Sequence, residues 1–206
     1  MPSPRGMSYT YSSHLLLTFS ESDNFNSGWE SVKYPPGTGA GPAPACPPVP
    51  KSPFTFTSYF AVHAEPGQVV NGTTPTGGLA GASGQYLLGL NSDSNTICYN
   101  ITLTNFRGDY SSPARTATHL HEAARGASGS PRIAFPNPVA INADGSVRRS
   151  VGCITGPFVT GLNNTGTTVD TGAAFNVRQI EANPAGFFVD VHSSLAVPGA
   201  VRGQLA

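Results

Sequence analysis

From Thr96 to Leu103 the chain alternates strictly, with Ile97, Tyr99, Ile101 and Leu103 on one side and Thr96, Cys98, Asn100 and Thr102 on the other. A period of two marks a half-buried β-strand, because successive side chains leave a pleated backbone on opposite faces. Further runs rich in β-branched and aromatic residues, separated by Gly, Pro, Asn and Asp, predict strands over Thr55–His63, Gln85–Leu90, Thr116–His121, Arg132–Phe135, Ser146–Val151, Phe187–His192 and Val201–Leu205. One short helix is predicted over Phe175–Ala182, with Asp170 and Thr171 supplying N-cap chemistry, Ala174, Val177 and Ile180 on its apolar side, and Pro184 ending it. About eight short strands, turn residues between them and a single short helix predict an all-β fold, a Greek-key-like antiparallel β-sandwich.

Before Phe54 the texture changes. The stretch YPPGTGAGPAPACPPVPKSP cannot build a packed element, since its prolines and glycines favour extended, solvated backbone. Residues 1–53 are therefore expected to be a disordered leader and linker, and residues 54–206 a single domain. The N-terminal MPSPRGMSYTYSSHLLLTFSESD offers only a three-leucine patch where a secretory signal needs about 7–15 apolar residues. No apolar run of about 18 residues is present to cross a membrane.

Composition narrows the function classes. The 206 residues carry 11 Lys+Arg against 11 Asp+Glu, and charged residues make up 11%, under half of the roughly 25% usual in globular chains. That neutrality gives no electrostatic basis for binding nucleic acid or an anionic membrane. With 24 Gly and 19 Pro the profile is that of a turn-rich β protein, often a secreted one, whose solubility rests on hydroxyls and amides. Glycans at the sequons of Asn71, Asn100 and Asn163 would add to it. Cys98 and Cys153 both lie in strand-like runs and are expected to pair as a disulfide, leaving Cys46 free among the prolines or removed by processing; in a reducing compartment Cys98 and Cys153 would be buried thiols.

The chemistry-bearing stretch is THLHEAARGASGSPRIAFPNP, from Thr118 to Pro138. His119 and His121 share one strand face while Leu120 takes the other, which suits either half of a metal chelate or a buried structural pair. Asp190 and His192 share the less apolar face of the Phe187–His192 strand, where Asp190 could set the imidazole tautomer as a hydrogen-bond acceptor. All three histidines thus fall on the less apolar side of their strands, which predicts a shallow outer or rim site. His63 is a further metal candidate or a surface residue, His14 belongs to the leader, and Arg202 is expected to pair with Glu122, the alternative being that it draws small anions toward a metal. No Ser-His-Asp order, carboxylate pair of the glycosidase kind or phosphate-loop spacing is present.

The segment THLHEAARGASGSPRIAFP resembles the H-x-H and G-P segment of the chordin-type CHRD domain, and GFFVDVH with PGAVRGQL resembles its closing motif. The likeness runs from about Tyr59 to Ala206, with details closest to the fungal branch. It implies an extracellular β-sandwich acting as a binding or structural module, with an unidentified extracellular protein or cell-wall component as partner. An extracellular setting carries the expectation that the visible N-terminus is a misjudged start. A second likeness is to the copper,zinc superoxide dismutases, whose H-V-H-E, H-F-N-P, late histidine and closing arginine are echoed by His119-Leu120-His121-Glu122, Phe135-Pro136-Asn137-Pro138, His192 and Arg202. It implies an alternative in which copper is the cofactor, held by His119, His121 and His192, with Arg202 as the catalytic residue. Ala134 stands where that family has its metal-bridging histidine, and no further His or Asp cluster is seen to hold zinc, so a zinc site is not expected.

Limited proteolysis is expected to trim the chain to a resistant core beginning near Phe54, and a chain starting at Pro53 should melt within a few degrees of the full length. A large loss of stability on truncation would mean that the leader packs on the domain.

Overall fold

Period-two patterning is carried through into two facing antiparallel sheets. The computed structural model describes residues 55–206; the expected leader, with His14 and Cys46, lies outside the described residues. The strands are β1 (Ser58–Ala64), β2 (Val70–Asn71), β3 (Thr74–Pro75), β4 (Ser83–Asn91), β5 (Thr96–Thr104), β6 (Thr118–Glu122), β7 (Pro131–Phe135), β8 (Val139–Ala140), β9 (Val147–Thr155), β10 (Phe187–Ser193) and β11 (Ala196–Gln204). One sheet has the order β1-β4-β5-β9-β8 and the other β11-β10-β6-β7, with β2 and β3 as a separate hairpin. Every expected strand is present, and the three additional ones are two-residue pieces. The neighbours β5/β9 and β6/β10 are distant in sequence, and they supply the Greek-key crossovers.

The apolar faces meet between the sheets. Tyr86, Leu88 and Leu90 of β4 and Ile97, Tyr99, Ile101 and Leu103 of β5 pack towards Leu120, Ile133, Phe135, Val189 and Val191 of the second sheet, all of them buried. Within this layer the Tyr86 hydroxyl donates to the Asp190 carbonyl at 2.9 Å and so ties the two sheets together. At one edge the sheets touch directly, since Glu65 and Arg202 exchange both backbone hydrogen bonds, at 2.9 and 3.1 Å. That approach explains a glycine in the closing R-G-Q: a Cβ on Gly203 would lie 2.6 Å from the His63 carbonyl oxygen.

The expected helix is shorter than its pattern. Only Arg178–Ala182 (α1) is helical, with no side-chain cap at its start. Asp170 is drawn elsewhere, accepting from the backbone N–H groups of Thr160, Gly161 and Gly172 and so closing the loop before the helix. Phe175, Val177 and Ile180 are buried, but Ala174 faces solvent.

Cys98 and Cys153 are bonded, directly opposite one another on β5 and β9, with a sequence separation of 55. Closing a loop of that length is worth about 4 kcal/mol by chain entropy. The double variant Cys98→Ser, Cys153→Ser should therefore melt well below the parent, as measured by differential scanning calorimetry. Unchanged melting would show that the bond contributes nothing in solution.

A candidate metal centre

Antiparallel pairing of β6 with β10 places Asp190 opposite His119 and Phe188 opposite His121, all on the outer face of the four-stranded sheet. Register shifts occur at Leu120/His121 against β7 and at Val191/Ser193 against β11, so a bulge adjoins His121 and another adjoins His192. Such bulges re-aim side chains that a regular ladder would hold perpendicular to the sheet. The result is a convergence on one carboxylate: Asp190 Oδ1 lies 3.5 Å from His119 Nδ1 and 3.2 Å from His121 Nε2, and its Oδ2 lies 3.2 Å from His192 Nε2.

Hydrogen placement follows from the other side of each ring. His119 Nε2 donates to the Thr116 carbonyl at 2.6 Å, His121 Nδ1 to that of Gly129 at 2.9 Å, and His192 Nδ1 to that of Val197 at 3.3 Å. A carbonyl oxygen only accepts, so each of these nitrogens carries the hydrogen. In the neutral rings the inward nitrogens then present bare lone pairs to a carboxylate that can also only accept. His119 Nδ1, His121 Nε2 and Asp190 Oδ1 are buried without any hydrogen-bond partner. Acceptors facing acceptors in a buried place are strongly unfavourable unless positive charge lies between them.

The four donors all lie within 4.8 Å of one another. A tetrahedral cation with bonds of about 2.0–2.1 Å has donor–donor edges of about 3.3–3.4 Å, close to the separations of His119 and His121 from Asp190 Oδ1 and of His192 from Oδ2. Outward N–H groups fixed on backbone carbonyls are the usual support of metal-bound histidines. The set fits a divalent cation by geometry, by tautomer and by its orphaned atoms.

Several expectations change here. The cluster is no shallow rim: His119 is 1% exposed, Asp190 4% and His121 7%. A cover formed by the loop after β6 hides these three, while His192 stays half-buried. Arg202 donates to the carbonyls of Ala127 and Ala124 and to Gln204 Oε1, while Gln204 donates to that of Ala123, so β11 pins the loop over the sheet. Gly129 closes it, since a Cβ there would collide with the Glu122 carbonyl oxygen. The Arg202 guanidinium carbon also lies over the Phe188 ring, 3.5 Å from its centre, and Phe188 stacks on His121 at 4.8 Å. The expected pair with Glu122 does not form; Glu122 bonds to Arg132 at 2.8 Å, because strand parity turns it away from the histidine face. His63 is exposed on β1 of the other sheet and takes no part. Asp190, expected to orient one ring, faces all three. Asn71 and Asn163 are exposed, while the half-buried Asn100 accepts from Arg149 at 2.9 Å.

A family model of the CHRD domain matches residues 60–205. No curated protein and no solved structure matches the chain.

Protons are the other occupants the centre can take. Burial alone would push His192 down, but the Asp190 carboxylate overrides it and raises the imidazole from 6.5 to about 9. The same histidines, acting against burial, hold Asp190 well below the usual carboxylate range. A group raised on folding stabilises fully below its unfolded value and loses that contribution as pH rises through the folded one. Chelator-stripped protein should accordingly melt at progressively lower temperature between pH 6.5 and about 9, and His192→Gln should flatten that slope. A stripped protein equally stable across the window would show that Asp190 does not hold the proton.

Proposed function

Because the chain belongs to the CHRD domain family, we propose that it is an extracellular, non-catalytic binding or structural module in which His119, His121, His192 and Asp190 hold a divalent first-row cation. The observation that carries the cation is the placement of hydrogens, with three N–H groups turned outward onto carbonyls and three lone pairs turned inward onto one carboxylate. Four protein donors are the pattern of a structural site. Three imidazoles and a carboxylate at tetrahedral spacing suit zinc, and Cu(II), which binds nitrogen-rich sites more tightly, competes for the same place.

The compartment is supported by the family, whose domains occur in extracellular proteins, and by the Cys98–Cys153 disulfide. Exposed sequons at Asn71 and Asn163 agree with it, and among the described residues no helix is long and apolar enough to cross a membrane. An extracellular protein or a cell-wall component is the partner class that follows. The copper-dismutase alternative uses the same histidines, yet Ala134 pairs with His119 where a bridging histidine would be needed. Arg202, its catalytic candidate, already donates to Ala124, Ala127 and Gln204.

Chelator-treated protein should take up one equivalent of Zn(II) or Cu(II) with micromolar or tighter affinity at pH 7.5, and at a hundredfold excess over Kd gain about 2.7 kcal/mol of stability. Release should set in as the pH is lowered, because protons compete with the cation for the imidazole nitrogens. His121→Ala and Asp190→Asn should each weaken uptake at least about tenfold. Absence of stoichiometric uptake would sink the cation, whereas superoxide turnover lost in His121→Ala would replace the module by the enzyme.

A further inference from the structure

The cover over the centre is incomplete on one side. A cavity of about 110 Å³ opens there, walled by Val69, Val70, Phe188, Pro198 and Val201. His121, His192 and Asp190 form its floor and Arg202 one flank, whereas His119 takes no part in it. The void therefore borders the centre at three of its four donor residues. Its size is enough for several waters and falls short of the roughly 150 Å³ of an apolar cavity that accepts benzene.

We propose that this cavity is a binding site for one small anion, a carboxylate or triatomic species no larger than acetate, lodged against the cation. The inference rests on the cation reading above and adds a second ligand to it. Charge selects the class. A divalent cation brings two positive charges, Arg202 a third, and Asp190 a single negative one, while the three neutral imidazoles contribute none. Glu122 is engaged by Arg132, and Asp190 is the one carboxylate among the buried residues described. Excess positive charge enclosed by apolar side chains is poorly screened, so an anion is favoured over water or a neutral molecule. Arg202 acts here through its charge, since both of its terminal nitrogens already donate to the cover and to Gln204. Approach from the cavity would take a tetrahedral cation to five-coordination, a number zinc reaches in its open sites.

Cobalt(II) makes the proposal visible, because four-coordinate Co(II) absorbs several-fold more strongly than five-coordinate Co(II). Full-length protein loaded with one equivalent of Co(II) should show a saturable fall in visible absorbance with azide or acetate, at an affinity of about 1 mM. Benzoate, of equal charge but too large, should leave the spectrum unchanged. Val70→Phe, which narrows the cavity without touching a donor, should keep one equivalent of Co(II) and weaken the azide response at least tenfold. Val70→Leu, a milder change, should weaken it to a lesser degree and serves if the phenylalanine variant does not fold. A loaded protein whose spectrum ignores azide at about 100 mM would overturn the anion site while leaving the cation reading standing. A response unaltered by both Val70 variants would also overturn it. Failure to take up Co(II) at all would overturn the cation reading and the anion site with it.

Discussion

Asp190 is a buried carboxylate surrounded by three imidazoles that have already committed their hydrogens elsewhere, and the outer half of the molecule is organised by that fact. A carboxylate at this depth is tolerated only with positive charge beside it. The neutral rings cannot provide that charge, because the Thr116, Gly129 and Val197 carbonyls hold each N–H on the far side. A bound cation or extra protons must supply it, and the protein is built so that one small volume between four donors receives either. Tyr86 extends the arrangement inward by fixing the Asp190 backbone from the opposite sheet, so that the carboxylate is held on a strand anchored from both faces.

Around this centre the usual division of a sandwich, apolar inside and polar outside, is modified on a single face. Phe188, Asp190, Arg202 and Gln204 all point away from the core, yet all are buried. Their burial is sustained by a connected network: Arg202 and Gln204 satisfy the carbonyls of Ala123, Ala124 and Ala127, and His121 satisfies that of Gly129. Buried polar groups of this kind stabilise when every member is satisfied and cost heavily when one is missing. The closing segment of the chain is thus better described as the anchor of a cover than as catalytic machinery. Its arginine holds the loop, its glycine allows β11 to approach β1, and its glutamine completes the loop's hydrogen bonds.

Much of the scaffold was legible without coordinates, for a local reason. Whether a residue faces in or out of a strand depends on parity alone, so Ile97 to Leu103 declared a core face, and His119, His121, Asp190 and His192 declared a shared outer one. The cysteine pair was legible on similar grounds, both members standing in strand-like runs. Parity could even have warned against the Glu122–Arg202 pair, because Glu122 falls on the Leu120 side of β6.

Long-range pairing decided the rest. Asp190 is level with His119, and Phe188 with His121, only because β10 returns to lie beside β6 in one register, and no local pattern encodes which register that is. The depth of the site was equally out of reach, since burial of the outer face comes from a loop whose anchors, Arg202 and Gln204, lie at the far end of the chain. Helix length failed for the same reason: Asp170 had better donors in the folded loop than the helix start could offer. Sequence by itself determined the strands, their faces and the residue types that share them. The tertiary structure alone decided that four of those residues meet at one point under a cover, because convergence depends on contacts between segments far apart in the chain.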